Sequence, residues 1–296
     1  MKGWLLVNGF LYSSAQSEKF AELYGYLQNA AKGCGVELEI RYTSDVLCDL
    51  QNDEQLQGKP DFVLFWDKDV LVAKRLERLH IPVFNSASAV EICDNKMLTA
   101  LALTENKVKT PKTFFLPKTF EGVGYPDTAF LDKAEQALGY PMVFKQAYGS
   151  FGKQVYLVEN RTRLEELART FAGKDCLLQE LIRTSYGRDV RVNVVGGKVV
   201  CCMLRENAND FRSNVTGGGR ATRFTPSFAQ EMAAIAACEA VGADFAGVDI
   251  LFGKMGEPIV CEVNSNPHFK SSIDATGVDV SEYIMRYVVE RVCKGC

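Results

Sequence analysis

Histidine is scarce in this 296-residue chain: His80 and His268 are the only two. That scarcity argues against Ser/His/Asp or Cys/His nucleophilic catalysis and against histidine-rich metal sites. His80 precedes an Ile81-Pro82 step and reads as structural. Charge of one sign is also lacking, because 34 Lys and Arg face 37 Asp and Glu, a net −3. Bulk electrostatics therefore give no reason to expect a nucleic-acid partner, and an anionic substrate would need local Lys/Arg clusters. No stretch approaches the ~18 uninterrupted apolar residues of a membrane helix. The apolar start after Lys2 is broken at Asn8 and Gly9, too short for a signal peptide, and reads as a first strand. Two nucleotide signatures are missing as well. No G-x-G-x-x-G follows that strand, and no Gly-Lys-Ser/Thr closes the later glycine-rich loop.

Cysteine is plentiful but scattered: ten residues, several within apolar runs (Cys201, Cys202, Cys238, Cys261). There they read as small core hydrophobes in a reducing, cytoplasmic setting. Cys48 shows no paired spacing, and Cys293-Lys-Gly-Cys296 lacks a second pair, so it reads as a tail. The remaining composition, 47% hydrophobic and 24% charged, is that of a soluble globular protein with room for two or three domains.

Residues 4–7, 36–42, 61–66 and 81–84 read as strands. Phe20, Leu23, Tyr24, Leu27, Ala30 and Ala31 mark one face of a helix, preceded by a polar loop at Ser13, Ser14, Gln16 and Ser17. A second, charged helix spans 69–79, so the first 90 residues predict a small α/β unit with a largely parallel sheet. One helix capped at Ser86 or Ser88 is expected to run through Asp94-Asn95-Lys96 to Leu103. Ser227 and Gln230 have the spacing of a capping box.

Four later stretches carry chemistry. Residues 244–267 read as a β-hairpin with a Gly-Lys-Met-Gly turn, placing Asp249 across from Glu262 and Asn264. Oxygen donors clustered on an apolar sheet suit a hard cation such as magnesium or manganese. Pairing with Lys or Arg from elsewhere, or a solvated face, would serve equally. Lys145 ends an apolar strand before Gly149-Ser-Phe-Gly152, where backbone N–H groups can approach phosphate, although a plain hairpin turn needs glycine too. Asp189, Arg191 and Asn193 alternate on one strand face, a pattern that usually meets solvent unless the face looks into a cleft. The run from Asp210-Phe-Arg-Ser-Asn214 to Gly219-Arg220 reads as a mobile lid or anion-binding loop.

No single motif decides the function, but their order does. Lys96, Lys145 with its glycine loop, Gln179-Glu180, Asp189-x-Arg191, Arg212-Ser-Asn214 and Asp249…Glu262-x-Asn264 follow one another as in ATP-grasp enzymes. Over about residues 86–292 the chain most resembles the RimK-type amino-acid ligases. The resemblance implies an ATP-grasp fold of α/β (α+β) class with an N-terminal Rossmann-like, pre-ATP-grasp domain. It divides the chain into an N-terminal domain (1–90), a central or lid subdomain (91–186) and a metal-binding subdomain (187–296). It implies ATP contacts from Lys96, Lys145, Glu180, Leu181, Asp189, Arg212, Ser213 and Asn214, with Arg212 catalytic. Asp249, Glu262 and Asn264 would hold Mg2+ or Mn2+, two ions in all.

The implied reaction is ATP-dependent amide formation through an acyl phosphate, adding glutamate or a related amino acid to an acidic acceptor. A D-alanine–D-alanine or glutathione-synthetase type of ligase, or a non-catalytic nucleotide-binding module, are the competing readings. Its partners would be a small-molecule or peptide carboxylate plus an amino acid, with no nucleic acid or membrane; a homo-oligomer is compatible. One departure stands out. RimK-type ligases often follow Glu-Val-Asn with a small residue, Pro-Gly and then an acidic residue, whereas this chain has Ser265-Asn-Pro-His268-Phe-Lys270. His268 and Lys270, with Arg205 and Arg220, are therefore the candidate contacts to an anionic substrate.

Overall fold

The computed structural model describes residues 1–10, 17–46, 58–150 and 152–295. Ser13, Ser14, Gln16, Cys48, Phe151 and Cys296 lie outside the described residues.

The N-terminal unit alternates as its hydrophobic runs predict: β1 (Lys2–Val7), α1 (Ser17–Gly33), β2 (Glu37–Tyr42), β3 (Phe62–Trp66), α2 (Val70–Arg78) and β4 (Val83–Phe84). Its strands pair in the order β2-β1-β3-β4, all in parallel. Fully buried residues run along β1 and β3, as expected of a parallel sheet covered on both faces.

The segment expected to be one helix from Ser86 or Ser88 to Leu103 is two: α3 (Ala87–Asp94) and α4 (Lys96–Glu105). Ser86 caps the first. Asn95 leaves the helical conformation and accepts from the backbone N–H groups of Met97 and Leu98, capping the second. Periodicity carries across such a break because both helices bury apolar faces, so only the Asp-Asn pair marks it.

Next come β5 (Thr113–Phe115), α5 (Phe130–Leu138), β6 (Met142–Gln146), β7 (Val155–Val158), α6 (Arg161–Thr170) and β8 (Cys176–Glu180). They form an antiparallel sheet of order β5-β8-β6-β7, backed by α5 and α6 over a core that includes Leu131, Phe144, Leu164 and Leu178. Then follow β9 (Arg188–Val195), β10 (Lys198–Glu206), β11 (Arg220–Arg223), α7 (Phe228–Val241), β12 (Phe245–Phe252), β13 (Pro258–Asn264), α8 (Lys270–Thr276) and α9 (Val280–Cys293). The third sheet runs β11-β10-β9-β12-β13, antiparallel throughout. The Ser227/Gln230 capping box starts α7, whose alanine-rich face packs on Val190, Val248 and Val260. Strand β11 and helix α8 were not anticipated in the sequence.

The N-terminal sheet shares its core with the C-terminal end of the chain. Leu5, Leu27, Leu64 and Trp66 pack with Phe245, Phe269, Ile284 and Met285, and the Trp66 ring stacks on Phe245 at 5.6 Å. Asn85, fully buried after β4, joins the two regions through four hydrogen bonds. It accepts from the Asp244 and Phe245 N–H groups at 2.6 and 3.2 Å and donates to the Phe245 and Ser265 carbonyls at 2.9 and 2.8 Å. One side chain thereby fixes where the hairpin β12–β13 begins and ends.

Candidate active site

The glycine-rich loop between β6 and β7 is pinned from two sides. Lys96, first residue of α4, donates from Nζ to the Gly149 carbonyl at 2.8 Å and from its backbone to Ala147 at 2.9 Å. Asn95 donates to the Tyr148 hydroxyl at 3.1 Å. From the N-terminal unit, Lys68 pairs with Asp94 and reaches Ser150 Oγ at 3.3 Å. Lys145 is buried on β6, its ammonium held by Gln179 Oε1 at 2.6 Å and beside Cys261 Sγ at 3.6 Å.

The loop after β10 closes over this one. Arg212 is gripped by Asp210, whose carboxyl it holds below the usual range, and donates from Nη1 to the Gly152 carbonyl at 2.7 Å. A Cβ on Gly152, which has φ +72°, would come within 3.1 Å of Asn214 Oδ1 and 3.3 Å of Arg212 Cδ. Glycine is what lets the two loops approach so closely.

The polar face of β9 turns away from solvent. Asp189, Arg191 and Asn193 are all buried, and strand register sets them beside charged neighbours on β10 and β12. Arg205 binds Asp189 through two bonds of 2.7 and 2.5 Å and lies 3.0 Å from Asp249. Arg191 grips both oxygens of Asp249 from the other side. Burial pushes the Asp249 carboxyl up, but the Arg191 and Arg205 guanidinium groups outweigh it and the net direction is down. Two arginines and two aspartates thus form an alternating, neutral chain beneath the cleft. Gly247 makes room for it, since a Cβ there would sit 3.0 Å from both Arg191 and Pro267.

Asp249 pairs with Glu262 across the hairpin, and a register shift immediately after leaves Cys261 on a bulge beside Lys145. Glu262 is partly exposed, its contact being Lys96 Nζ at 3.7 Å, longer than a hydrogen bond. Asn264 donates its amide N–H to the Gly247 carbonyl at 3.3 Å, which leaves its oxygen as the acceptor end. Among the described residues no three His, Cys, Asp or Glu side chains cluster as a metal nest. The donor set is two carboxylates and one amide, all oxygen, and it fits a hard cation in kind. Asp249 also realises the alternative open in the sequence, pairing with arginine.

A cavity of about 660 Å3 joins these parts. Its wall includes Lys96, Lys145, Glu180, Leu181, Asp189, Arg205, Arg212, Ser213, Asn214, Asp249, Glu262, Asn264, His268 and Lys270. Arg220, on strand β11, does not line it.

The RimK-like ATP-grasp domain family matches residues 93–288, a span that includes every one of those side chains. The chain belongs to this family. It is similar to a probable alpha-L-glutamate ligase of Syntrophotalea carbinolica, 34% identical over 76% of this chain and 72% of that protein. It is also similar to beta-citrylglutamate synthase B of Danio rerio, 33% identical over 75% of this chain and 54% of that protein. In fold it resembles a RimK domain ATP-grasp protein of Sphaerobacter thermophilus, with a TM-score of 0.72 at 19% identity over 97% of this chain and 99% of that one. The protein is an ATP-grasp ligase of the carbon–nitrogen bond-forming kind, and the family uses ATP. No helix among the described residues is long and apolar enough to cross a membrane.

The ATP-grasp cleft has a second wall that sequence reasoning missed. Asn8, Lys19, Phe20 and Lys68 reach it from the N-terminal unit. Their signal was positional, because Asn8 and Lys68 follow the carboxyl ends of parallel strands, where α/β sheets place ligands. Two of the proposed anion contacts are already engaged. Lys270 pairs with Asp274 at 2.6 Å and Glu22 at 3.5 Å, and Arg205 is enclosed between Asp189 and Asp249. His268 is uncharged at neutral pH, since burial and then the nearby Lys19 charge lower it to about 4.

Proposed function

We infer that this ATP-grasp ligase uses ATP to activate a carboxylate as an acyl phosphate and joins it to the amine of glutamate or a related amino acid. The observation that carries the reading is the single cleft lined at once by Lys96, Lys145, the glycine loop, Arg212 and the oxygen set Asp249, Glu262 and Asn264. The names of the relatives, a glutamate ligase and a citrylglutamate synthase, favour glutamate as the amine.

Placement supports the following roles. Glu180, the last residue of β8, and Leu181 just after it line the cleft, suited to the adenine and ribose, and Asp189 lines the same cleft. Lys96 and Lys145 present ammonium groups to phosphates cradled by the glycine loop. Arg212, Ser213 and Asn214 close over that loop, so that the guanidinium meets charge developing on the transferred phosphoryl group. Asp249, Glu262 and Asn264 would hold Mg2+ or Mn2+, which when bound offsets negative charge on phosphate oxygens. A carboxylate is a poor electrophile, and phosphorylation supplies the leaving group that a neutral amine can displace. No protein nucleophile is needed.

The test is phosphate release from ATP against a panel of carboxylates and amino acids, with products weighed by mass spectrometry. Release that requires both partners, with a product heavier by amide formation, is expected. Tight nucleotide binding with no combination that stimulates turnover would overturn the reading.

A further inference from the structure

A buried cation with no carboxylate beside it is costly unless neutral acceptors or the charge of a ligand compensate it. Lys145 is such a cation: it is buried, lines the cleft and forms no ion pair among the described residues. Its ammonium has three donors. Gln179 Oε1 takes one at 2.6 Å and Cys261 Sγ a second at 3.6 Å, which leaves the third without a protein acceptor. Strand register explains why Gln179 is the partner. On β8 it sits opposite Thr113 of β5 and Val143 of β6, and Lys145, two residues on from Val143, shares that face. The Gln179 amide is oriented from both ends. An ammonium can only donate, so the end toward Lys145 is the carbonyl oxygen. At the other end Nε2 donates to Thr113 Oγ1 at 3.0 Å, and the one hydroxyl proton goes to the Pro111 carbonyl at 2.8 Å. The Thr113 oxygen is thereby left as an acceptor, and Pro111 has no N–H that could reverse the direction.

We propose that Thr113 and Gln179 are positioning residues for ATP: the relay from Pro111 through Thr113 and Gln179 holds the Lys145 ammonium with its remaining donor available to the nucleotide phosphates. The inference rests on the reading of Lys145 as a phosphate contact. A lysine head swings on a flexible four-carbon stem, and a fixed acceptor restricts it before the ligand arrives, so less freedom is lost on binding. Thr113 acts only through Gln179, and Gln179 only through Lys145.

The probe is ATP with magnesium chloride, and the measurement is its Kd for the full chain by isothermal titration calorimetry, which needs neither a co-substrate nor turnover. Gln179→Leu removes the acceptor of a charged donor and is expected to raise Kd about tenfold or more. Gln179→Met repeats the removal with a flexible side chain, so the outcome does not depend on leucine fitting the site. Thr113→Val removes the hydroxyl and should raise Kd about fivefold, whereas Thr113→Ser keeps it and should stay within about twofold of wild type. With both Thr113→Val and Gln179→Leu, binding should be no weaker than with Gln179→Leu alone, a coupling that a merely structural role would not produce. A Kd within twofold of wild type in Thr113→Val and in both Gln179 variants would overturn the proposal. So would a Thr113→Val loss that serine fails to recover or that adds in full to the Gln179→Leu loss. Lys145→Met separates the two levels of the argument. If it too leaves Kd within twofold, Lys145 is no phosphate contact; if it alone raises Kd, that contact stands and the relay fails.

Discussion

Replacing Arg205 with methionine tests the charged chain under the cleft. Arg205 on β10 faces Asp189 on β9 as a direct cross-strand pair, and each is almost wholly buried. Methionine keeps much of the aliphatic stem but removes two bonds to Asp189 and the contact to Asp249. Asp249 retains Arg191, whereas Asp189 loses the guanidinium that binds both its oxygens. Removing one partner of a buried ion pair costs about 3–5 kcal/mol, mostly the penalty of stranding the other charge. Against a typical stability of roughly 5–15 kcal/mol, that is a large fraction. Urea unfolding followed by tryptophan fluorescence and by far-ultraviolet circular dichroism should show the loss as a lower midpoint at similar slope. Adding Asp189→Asn removes the stranded charge, so the double variant should lose about 2 kcal/mol less than the two single losses summed. A single-variant loss below about 1 kcal/mol, or strict additivity, would refute the reasoning. If Arg205 instead met a substrate charge, the change would fall on KM and leave stability alone.

Other outcomes follow from the same geometry. Glu262→Gln should lower turnover by about a hundredfold or more while the melting curve stays cooperative, because a cleft carboxylate is lost without changing shape. Retained turnover with magnesium would remove Glu262 from the metal set. Asn85→Ala leaves four backbone groups without their partner and should cost about 3 kcal/mol in equilibrium unfolding, with a loss under about 1 kcal/mol counting against it as the hairpin's anchor. For pH, His268 is lowered from 6.5 to about 4 in the folded protein, so the unfolded chain binds the proton first. The contribution is whole above pH 6.5, declines as the pH falls from there to about 4, and is gone below. Unfolding measured at several pH values should show that decline in wild type and a flatter profile in His268→Gln; identical profiles would contradict it.

Much of the site was legible because its residues obey short periods. Asp249, Glu262 and Asn264 sit on a hairpin whose alternation and glycine turn are local, and Lys145 ends a strand that the glycine loop then interrupts. Three things were not legible. The break at Asn95 hid inside a continuous apolar stripe. The short helix α8 begins at Lys270 without a side-chain cap, so no capping signal marked it. Burial of the β9 polar face depends on which strands lie beside it, and alternation cannot distinguish solvent from cleft.

The order of motifs along the chain was enough to identify an ATP-grasp ligase, since that order is a property of the sequence alone. Which charges neutralise which was decided by strand register. Residues 58 apart, Arg191 and Asp249, meet only because β9 and β12 pair antiparallel at that step. The second wall of the cleft likewise exists only after folding. Packing of β1 and β3 against Phe245 and Phe269 brings the N-terminal unit over the stretch from Asn266 to Lys270. Long-range contacts of this kind follow from burying a shared core, and no local pattern encodes them.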